Sequence, residues 1–299
     1  MAQKMRLDKL YDLQGRVALV TGGGTGIGWM IAQGLAANGA KVYITGRRKE
    51  VLERSAAAFA QENQGNGLVI PLGMDATDRK SILSARDAIA SREGRLHILV
   101  NNAGQTGPVS LFFNDMSAPE HKDPETLGCA LFENESFESW AGVYSINTFS
   151  IFFVTTAFLG LLAAGSADVP GYTSCVVNIT SVSGVIKLAQ DHFAYNSAKA
   201  AASHLTKMLA TELALKKVPV RVCAVAPGVY ESEMTYDTIT ADLVDKVGKG
   251  LVPVPEGRPG TAQEVAGTVI YLASPAGCYT NGQEIIVDGG FTAVNPSTS

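Results

Sequence analysis

Residues 17–28 read Val-Ala-Leu-Val-Thr-Gly-Gly-Gly-Thr-Gly-Ile-Gly, and this stretch decides the fold. The four leading residues are an apolar run of the length expected for a buried strand, and helical periodicity follows over 27–38. Glycine lets the backbone turn tightly and approach a pyrophosphate, whose charge is favoured by the free N–H groups at a helix start. The stretch therefore predicts a strand, a phosphate-binding turn and a helix.

The spacing of these glycines differs from the G-x-G-x-x-G pattern of many dinucleotide-binding proteins. Gly22, Gly26 and Gly28 give T-G-x-x-x-G-x-G, with Gly23 and Gly24 in the interval. A glycine-rich surface loop is the alternative interpretation. The order of strand, turn and helix favours the phosphate-binding one.

Composition predicts a soluble globular α/β protein and argues against several functional classes. The 299 residues are 46% hydrophobic and 17% charged, and include 31 glycines. A net charge of -4 disfavours a general nucleic-acid or acidic-membrane binder. Residues 1–14 lack the apolar core of a signal peptide, and the apolar stretch 149–164 is shorter than the ~20 residues of a membrane span.

The four cysteines are scattered along the chain with no C-x-x-C spacing. They indicate neither a zinc site nor a disulfide framework, and no other metal site is expected. A reducing, cytoplasmic location is the simplest expectation.

Short runs rich in Val and Ile alternate with helical periodicity along the whole chain. The predicted strands are 17–20, 41–45, 68–72, 97–100, 174–179, 221–226 and 284–287. The predicted helices are 27–38, 49–61, 80–92, 137–162, 194–215 and 262–272. This alternation predicts one α/β domain over 1–299, a doubly wound parallel sheet of about seven strands with helices on both faces, of the Rossmann type.

Tyr195 and Lys199 lie four residues apart, which places a phenol and an ammonium on one helical face. A cation close to a phenol favours the phenolate, so the pair could transfer a proton to or from an oxygen near neutral pH. Such a spacing also occurs by chance on many amphipathic helices. Its meaning therefore depends on the other motifs of the chain.

Several of those motifs occur together and in order. They are the glycine-rich turn, Asn101-Asn102-Ala103-Gly104, Asn147, Ser181, the Tyr195/Lys199 pair, and Ala226-Pro227-Gly228. On these motifs the chain resembles the short-chain dehydrogenase/reductase family, from Gly15 to Gly290. Further segments resemble the NADPH-dependent 3-oxoacyl reductases of that family, including those of bacterial rhamnolipid pathways. These segments are 30–35, 232–235 and 288–291.

The resemblance implies catalytic roles for Asn147, Ser181, Tyr195 and Lys199. Tyr195 would protonate the developing alkoxide, Ser181 would hold the carbonyl oxygen, and Lys199 would bind the nicotinamide ribose and keep the phenol acidic. Asn147 would hold a water that relays protons to Lys199. Ser181 lies 14 positions before Tyr195, one more than is common in the family, so Ser183 stays open as an alternative.

Cofactor choice follows from the end of the second predicted strand. An NAD enzyme is expected to carry an acidic residue there, but Gly46 occupies the position and Arg47 and Arg48 follow. Guanidinium groups suit a 2'-phosphate, so NADP(H) is favoured. Arg48 could instead simply begin the next helix. Asp75 matches the family's adenine-contacting Asp, although it could also be a helix cap or turn former.

The full expected cofactor set combines these positions with the family motifs. It comprises Gly22, Gly24, Thr25, Gly26, Ile27, Arg47, Arg48, Asp75, Asn102, Ala103, Gly104, Tyr195, Lys199, Pro227, Gly228, Val229 and Ser232. The candidate substrate residues are mostly apolar or neutral, which indicates a ketone on a moderately hydrophobic molecule. They are Thr106, Ser183, Gln190, His192, Tyr230 and Met234.

Four segments are expected to depart from the common family plan. They are an N-terminal extension at 1–14, an insertion at 113–135, a substrate-loop region at 230–259 and a flexible tail at 294–299. The insertion, with its prolines and acidic residues, is expected to be irregular and either to line the substrate entrance or to extend a subunit contact. Residues 164–172 are expected to form a surface loop.

The function that these features favour is NADPH-dependent reduction of a ketone to a secondary alcohol. An NAD-dependent alcohol dehydrogenase is the near alternative, and a redox-neutral or non-enzymatic binding protein of the same fold is the distant one. The family resemblance also implies a homo-oligomer, a tetramer or a dimer, paired through the helices at 137–162 and 194–215.

Overall fold

The computed structural model describes residues 2–63, 68–230 and 254–298. Seven parallel strands form one sheet in the order β3-β2-β1-β4-β5-β6-β7, which confirms the predicted doubly wound α/β fold. The strands are β1 (Val17–Thr21), β2 (Lys41–Gly46), β3 (Leu68–Gly73), β4 (Ile98–Asn101), β5 (Ser174–Ile179), β6 (Val220–Pro227) and β7 (Glu284–Val287).

Helices cover both faces of this sheet. They are α1 (Leu7–Leu10), α2 (Gly26–Ala37), α3 (Lys49–Asn63), α4 (Arg79–Glu93), α5 (Pro124–Asn134), α6 (Phe137–Tyr144), α7 (Ser150–Asp168), α8 (Phe193–Leu215), α9 (Ala262–Ala273) and α10 (Phe291–Val294). Helices α2, α3 and α9 pack on one face, and α4, α7 and α8 on the other. Within β1, Ala18 and Val20 face the first core while Val17 and Leu19 face the second, as the two-residue strand period requires.

The chain reverses its direction of winding between β1 and β4. Strand β1 pairs with β2 on one side and with β4 on the other, so the connections leaving β1 and β4 diverge. In open α/β sheets, ligands bind in the crevice beyond the carboxyl ends of the strands at such a switch point. The glycine-rich turn after β1 and Asn102 after β4 both lie at this edge.

The long helix predicted at 137–162 is interrupted. A single π-helical turn, Ser145–Phe149, joins α6 to α7. Such turns occur frequently at functional sites, and this one carries Asn147. By length and composition the run Phe137–Asp168 could cross a membrane, a test that core helices of soluble proteins also pass; 44% of its most apolar window is buried.

The predicted surface loop at 164–172 is wrong in its first half, because α7 continues to Asp168. Gly165 suggested a loop, yet it is required for helix packing. A Cβ atom at this position would lie 2.1 Å from the carbonyl oxygen of Leu96. The glycine therefore allows α7 to approach the start of β4 closely.

The insertion at 113–135 is more regular than expected. It contains a 3-10 turn, Pro119–Lys122, and the helix α5, which Asp123 caps by accepting from the backbone N–H of Thr126. No residue of α5 is buried, so α5 does not belong to the core. Asp123 followed by Pro124 is an N-terminal helix signal, but prolines in this segment were interpreted as a sign of irregular structure.

The tail predicted to be flexible at 294–299 pairs with the segment after β5 over its described residues. Lys187 N–H donates to the carbonyl of Pro296 and Thr298 N–H donates to that of Val185, both at 2.9 Å. Ile186 and Ser297 form an antiparallel bridge. The tail therefore braces the chain between Ser181 and Tyr195.

Candidate active site

The glycine-rich turn is held in place by the segment that follows β4. Asn102 Nδ2 donates to the carbonyl oxygens of Thr21 and Gly22 at 3.0 and 3.1 Å, and Thr21 Oγ1 accepts from the N–H groups of Asn102 and Ala103. A Cβ on Gly28 would lie 2.3 Å from Asn102 Nδ2, and Gly22 has a φ of +62°. The turn therefore requires glycine, and it leads into the start of α2, where helix N–H groups favour an anion.

One cavity of about 830 Å³ runs along this edge of the sheet. Thirteen of the seventeen expected cofactor residues line it: Gly22, Gly24, Thr25, Gly26, Ile27, Arg47, Arg48, Asp75, Asn102, Ala103, Gly104, Tyr195 and Lys199. The glycine turn and the arginines lie on its β1 and β2 side, and Tyr195 and Lys199 lie beyond β5. The shape and lining fit a dinucleotide with its pyrophosphate on the glycine turn.

Arg47 and Asp75 face the cavity from neighbouring strand ends. Asp75 Oδ1 accepts from the N–H and hydroxyl of Thr77 at 2.8 and 2.7 Å, so Asp75 forms a local turn as well as lining the cavity. The Thr77 hydroxyl lowers the pKa of Asp75, as does the Arg47 charge to a smaller degree. Arg48 carries the carbonyl that accepts the first backbone bonds of α3. Asp75 therefore forms a turn and Arg48 begins α3, and both residues also line the cavity.

Ser181 and Tyr195 meet at the far end of the cavity. Burial raises the pKa of the Tyr195 phenol, and hydrogen bonding to Ser181 lowers it. This balance differs from the sequence expectation of a phenol acidified mainly by Lys199.

Lys199 is directed at the backbone of β5. Its Nζ donates to the carbonyl oxygen of Ile179 at 2.9 Å and lies 5.7 Å from the centre of the Tyr195 ring. Burial lowers the pKa of this ammonium to about 8. Lys199 is thus a buried cation whose charge is sensitive to mildly alkaline pH.

Asn147 anchors the loop after β4. Its Nδ2 donates to the carbonyl oxygen of Gln105 at 2.8 Å, and its Oδ1 accepts from the Gln105 N–H at 3.2 Å. The side chain is almost fully buried, with 1% of its surface exposed. Asn147 lines the cavity together with Tyr195 and Lys199. Ser181, the fourth expected catalytic residue, does not line the cavity and is linked to it through Tyr195.

The remaining expected residues lie elsewhere. Val229 and Tyr230 line a separate cavity of about 250 Å³, where Tyr230 is buried against Gly260. Gly228 packs on Asp288 at the end of β6, next to Pro227. Neither of these two residues lines the first cavity. Ser232, Met234 and the segment 231–253 lie outside the described residues.

The other candidate substrate residues border the catalytic end without lining the first cavity. Ser183 N–H donates to Ser181 Oγ at 3.1 Å, so Ser183 supports Ser181 through its backbone. Gln190 and His192 belong to the turn before α8, and the His192 ring lies 6.4 Å from that of Tyr195. Thr106 follows Gln105 in the anchored loop.

Sequence reasoning missed several residues of the cavity wall. Gln105, Gly142, Ser145 and Ile146 line its catalytic end. Gln105 could have been found, since it directly follows the Asn101-Asn102-Ala103-Gly104 motif. The others lie on α6 and the π turn and carry no motif. Among the described residues, no group of three or more His, Cys, Asp and Glu side chains could hold a metal ion.

Comparison with known proteins identifies similar sequences. A family model described as "Enoyl-(Acyl carrier protein) reductase" matches residues 22–292. The short-chain dehydrogenase/reductase VdtF of Byssochlamys spectabilis is 38% identical, covering 97% of this chain and 96% of that protein. The rhamnolipids biosynthesis 3-oxoacyl-[acyl-carrier-protein] reductase of Pseudomonas aeruginosa is 34% identical, with 94% and 98% covered.

A solved structure shows the same fold. The Pseudomonas aeruginosa RhlG/NADP active-site complex superposes with a TM-score of 0.79 at 31% identity, covering 94% of this chain and 98% of that one. Members of the matched family act as oxidoreductases on alcohol and carbonyl groups. The fold, the glycine-rich turn, the Tyr195/Lys199 pair and these matches agree, and the chain belongs to the short-chain dehydrogenase/reductase family.

Proposed function

We propose that the protein is an NADPH-dependent reductase that converts a ketone, of 3-oxoacyl or secondary-metabolite type, into a secondary alcohol. One observation carries this proposal: a single cavity joins Arg47 and Arg48 at one end to Tyr195 and Lys199 at the other. The first pair suits a phosphorylated ribose and the second suits proton transfer to a carbonyl oxygen.

Tyr195 is the proton donor in this proposal. Burial raises the pKa of its phenol, so the phenol holds its proton at neutral pH, which suits the reductive direction. Hydrogen bonding to Ser181 lowers the pKa of the same phenol, and in this proposal the Ser181 hydroxyl also holds the carbonyl oxygen. When bound, NADPH supplies the hydride.

In this proposal Lys199 and Asn147 support the proton donor. The ammonium of Lys199, fixed by the Ile179 carbonyl, places a positive charge near the developing alkoxide and the nicotinamide ribose. Asn147 fixes the loop that contains Gly104 and Gln105, which form the floor of the catalytic end. A water-mediated proton relay from Asn147 to Lys199 stays part of the proposal.

NADP(H) is favoured over NAD(H) because no acidic residue follows β2, where Gly46, Arg47 and Arg48 line the cavity. The names of two similar proteins support this choice. One is the RhlG/NADP complex, and the other is an NADP-dependent (R)-specific alcohol dehydrogenase of Lentilactobacillus kefiri, 30% identical over 94% of this chain.

A cytosolic homo-oligomer, a tetramer or a dimer, completes the proposal. Phe149, Phe152 and Phe153 are 49%, 45% and 43% exposed along one stretch of the π turn and α7. Exposed aromatic surface of this kind marks an interaction site. Light scattering of the purified protein tests the assembly directly.

The function is tested by following NADPH and NADH consumption against 3-oxoesters, cyclic ketones and quinones. The expected result is oxidation of NADPH in preference to NADH, lost in Tyr195→Phe. Turnover that persists in Tyr195→Phe would contradict the assignment of Tyr195 as the acid. Bound NADPH with no turnover of any ketone would favour a non-reductive role.

A further inference from the structure

The insertion at 113–135 is fastened to the turn that leads into the Tyr195 helix. Asn114 Nδ2 donates to Asp191 Oδ1, and Ser110, just before the insertion, donates its N–H to the Asp191 carbonyl at 2.9 Å. Phe113 packs edge-on against Phe193, with ring centres 4.9 Å apart. One hydrogen bond and one aromatic contact therefore join the insertion to the turn before α8 and to its first residue, and a second hydrogen bond comes from Ser110 just before the insertion.

The turn itself has a conformation that needs support. Gln190 and Asp191 adopt φ values of +50° and +67°, in the left-handed region that few residues other than glycine favour. Asp191 is fully buried, and a buried carboxylate is costly without hydrogen-bond donors. The insertion supplies one such donor through Asn114. The left-handed turn before Tyr195 and the insertion are thus structurally coupled.

The other end of the insertion is tied to α6. Glu135 accepts from Ser110 Oγ at 2.8 Å and from Trp140 Nε1 at 2.7 Å. Helix α6 lines the catalytic end of the cavity through Gly142, and α6 packs against α8. The insertion thus spans the gap between two elements that border Tyr195.

Aromatic groups collect along this span. Phe113 and Phe193 are half-buried, and Trp140 stacks with Tyr144 at 6.3 Å and 12°. The His192 ring lies 6.4 Å from that of Tyr195 and extends these aromatic groups to the catalytic end. These surfaces suit a flat or bulky apolar group better than a small or charged one.

We propose that the insertion is a fixed wall of the substrate cleft that selects ketones with an aromatic or other bulky apolar group. Asn114 and Asp191 hold this wall against the turn before Tyr195. The inference rests on the proposed reductase function, because it names the substrate class of that site. The wall positions the substrate and takes no part in proton transfer.

The first test compares two esters that differ only in the group next to the ketone, ethyl 3-oxobutanoate and ethyl 3-oxo-3-phenylpropanoate. Phe113→Ala and Asn114→Ala should each lower the ratio of kcat/KM for the phenyl ester to that for the methyl ester by about tenfold, mainly through KM. The Kd for NADPH should not change. Met116→Ala, at a site that is 79% exposed in the same segment, is the matched control.

An equal loss of kcat/KM for both esters would mean that the insertion only supports the structure, and would overturn the proposal. So would an unchanged ratio in both variants. A change of molar mass by light scattering with an unchanged ratio would instead assign the insertion to a subunit contact.

A second test needs no turnover. The chain has two tryptophans, so Trp29→Phe leaves Trp140 as the only one and makes its fluorescence a reporter at the wall. Ethyl 3-hydroxy-3-phenylpropanoate should quench this fluorescence saturably, with a Kd raised about tenfold by adding Phe113→Ala. Such quenching in a protein that reduces neither ester would refute the proposed function and keep the wall. Absence of quenching, or a Kd that Phe113→Ala leaves unchanged, would overturn the wall.

Discussion

Asn147 and Gln105 form a reciprocal pair, in which the side-chain amide of Asn147 binds both the N–H and the carbonyl of the Gln105 backbone. This pair leaves no room for a side chain on the neighbouring Gly104. A Cβ atom on Gly104 would lie 2.5 Å from Asn147 Oδ1. The loop after β4 and the π turn are therefore matched to each other at Gly104.

Gly104→Ala is expected to lower kcat/KM for the ketone at least about tenfold, because the added methyl breaks the Asn147–Gln105 pair. The double variant with Asn147→Ala should be no worse than Asn147→Ala alone, since the clash then disappears. Gly160→Ala is the control, because its Cβ would meet nothing within 4 Å. Additive losses in the double variant would contradict the steric explanation.

Arg47→Ala is expected to weaken NADPH binding by about tenfold or more while changing NADH binding little. The lost contact is a charge-assisted hydrogen bond to the 2'-phosphate, which is worth roughly 1.5–3 kcal/mol. Fluorescence titration of each cofactor measures the effect. Arg54→Ala, on an exposed part of α3 outside the cavity, should leave both affinities unchanged. Equal weakening for the two cofactors would rule out phosphate recognition by Arg47.

The reaction should lose efficiency as pH rises above about 8, where burial places the pKa of Lys199. The free protein then loses the cation that favours an anionic cofactor, so kcat/KM for NADPH falls. In Lys199→Arg the alkaline decline should vanish, even if the plateau is lower, because guanidinium stays protonated. The same decline in both proteins would assign it to another group.

Stability should fall as pH decreases below about 6.5, the usual pKa of histidine. His97 is fully buried, its Nδ1 accepts from the N–H of Val17 at 3.0 Å, and its Nε2 faces Asp168 at 3.3 Å. Burial lowers its pKa despite Asp168, so between the two values the unfolded chain binds more protons and acid favours unfolding.

Urea unfolding of the native protein and of His97→Gln between pH 5 and 8 measures this effect. The native protein should show the steeper loss of unfolding free energy below pH 6.5. The exposed His204 provides the control, since His204→Gln should follow the native curve. Parallel curves for all three proteins would remove His97 as the source of acid sensitivity.

Local sequence carried most of the fold. Every strand was predicted to within one or two residues, because short Val- and Ile-rich runs between polar segments strongly favour buried strands. The features that were missed depend on contacts between distant parts of the chain. Gly165 lies in a helix that packs closely on the Leu96 carbonyl, and Pro296 in the tail accepts a hydrogen bond from the Lys187 N–H.

The candidate site shows the same division. The positions of Tyr195 and Lys199 follow from a four-residue spacing on one helix. The pKa directions do not follow from it, since they depend on burial and, for Tyr195, on Ser181. The proposed role of the insertion rests on the left-handed turn at Asp191, which no local sequence pattern predicts.

The π turn at Ser145–Phe149 also constrains how this chain can change in length. Each residue of a helix advances the next by about 100° around the axis. Deleting or adding one residue within the turn would rotate all of α7 against α6. Phe158 and Leu162 would leave the second core, while Gly142 would keep its place beside the cavity. A change in the length of this turn would therefore misalign the core or the site, whichever residues it contains.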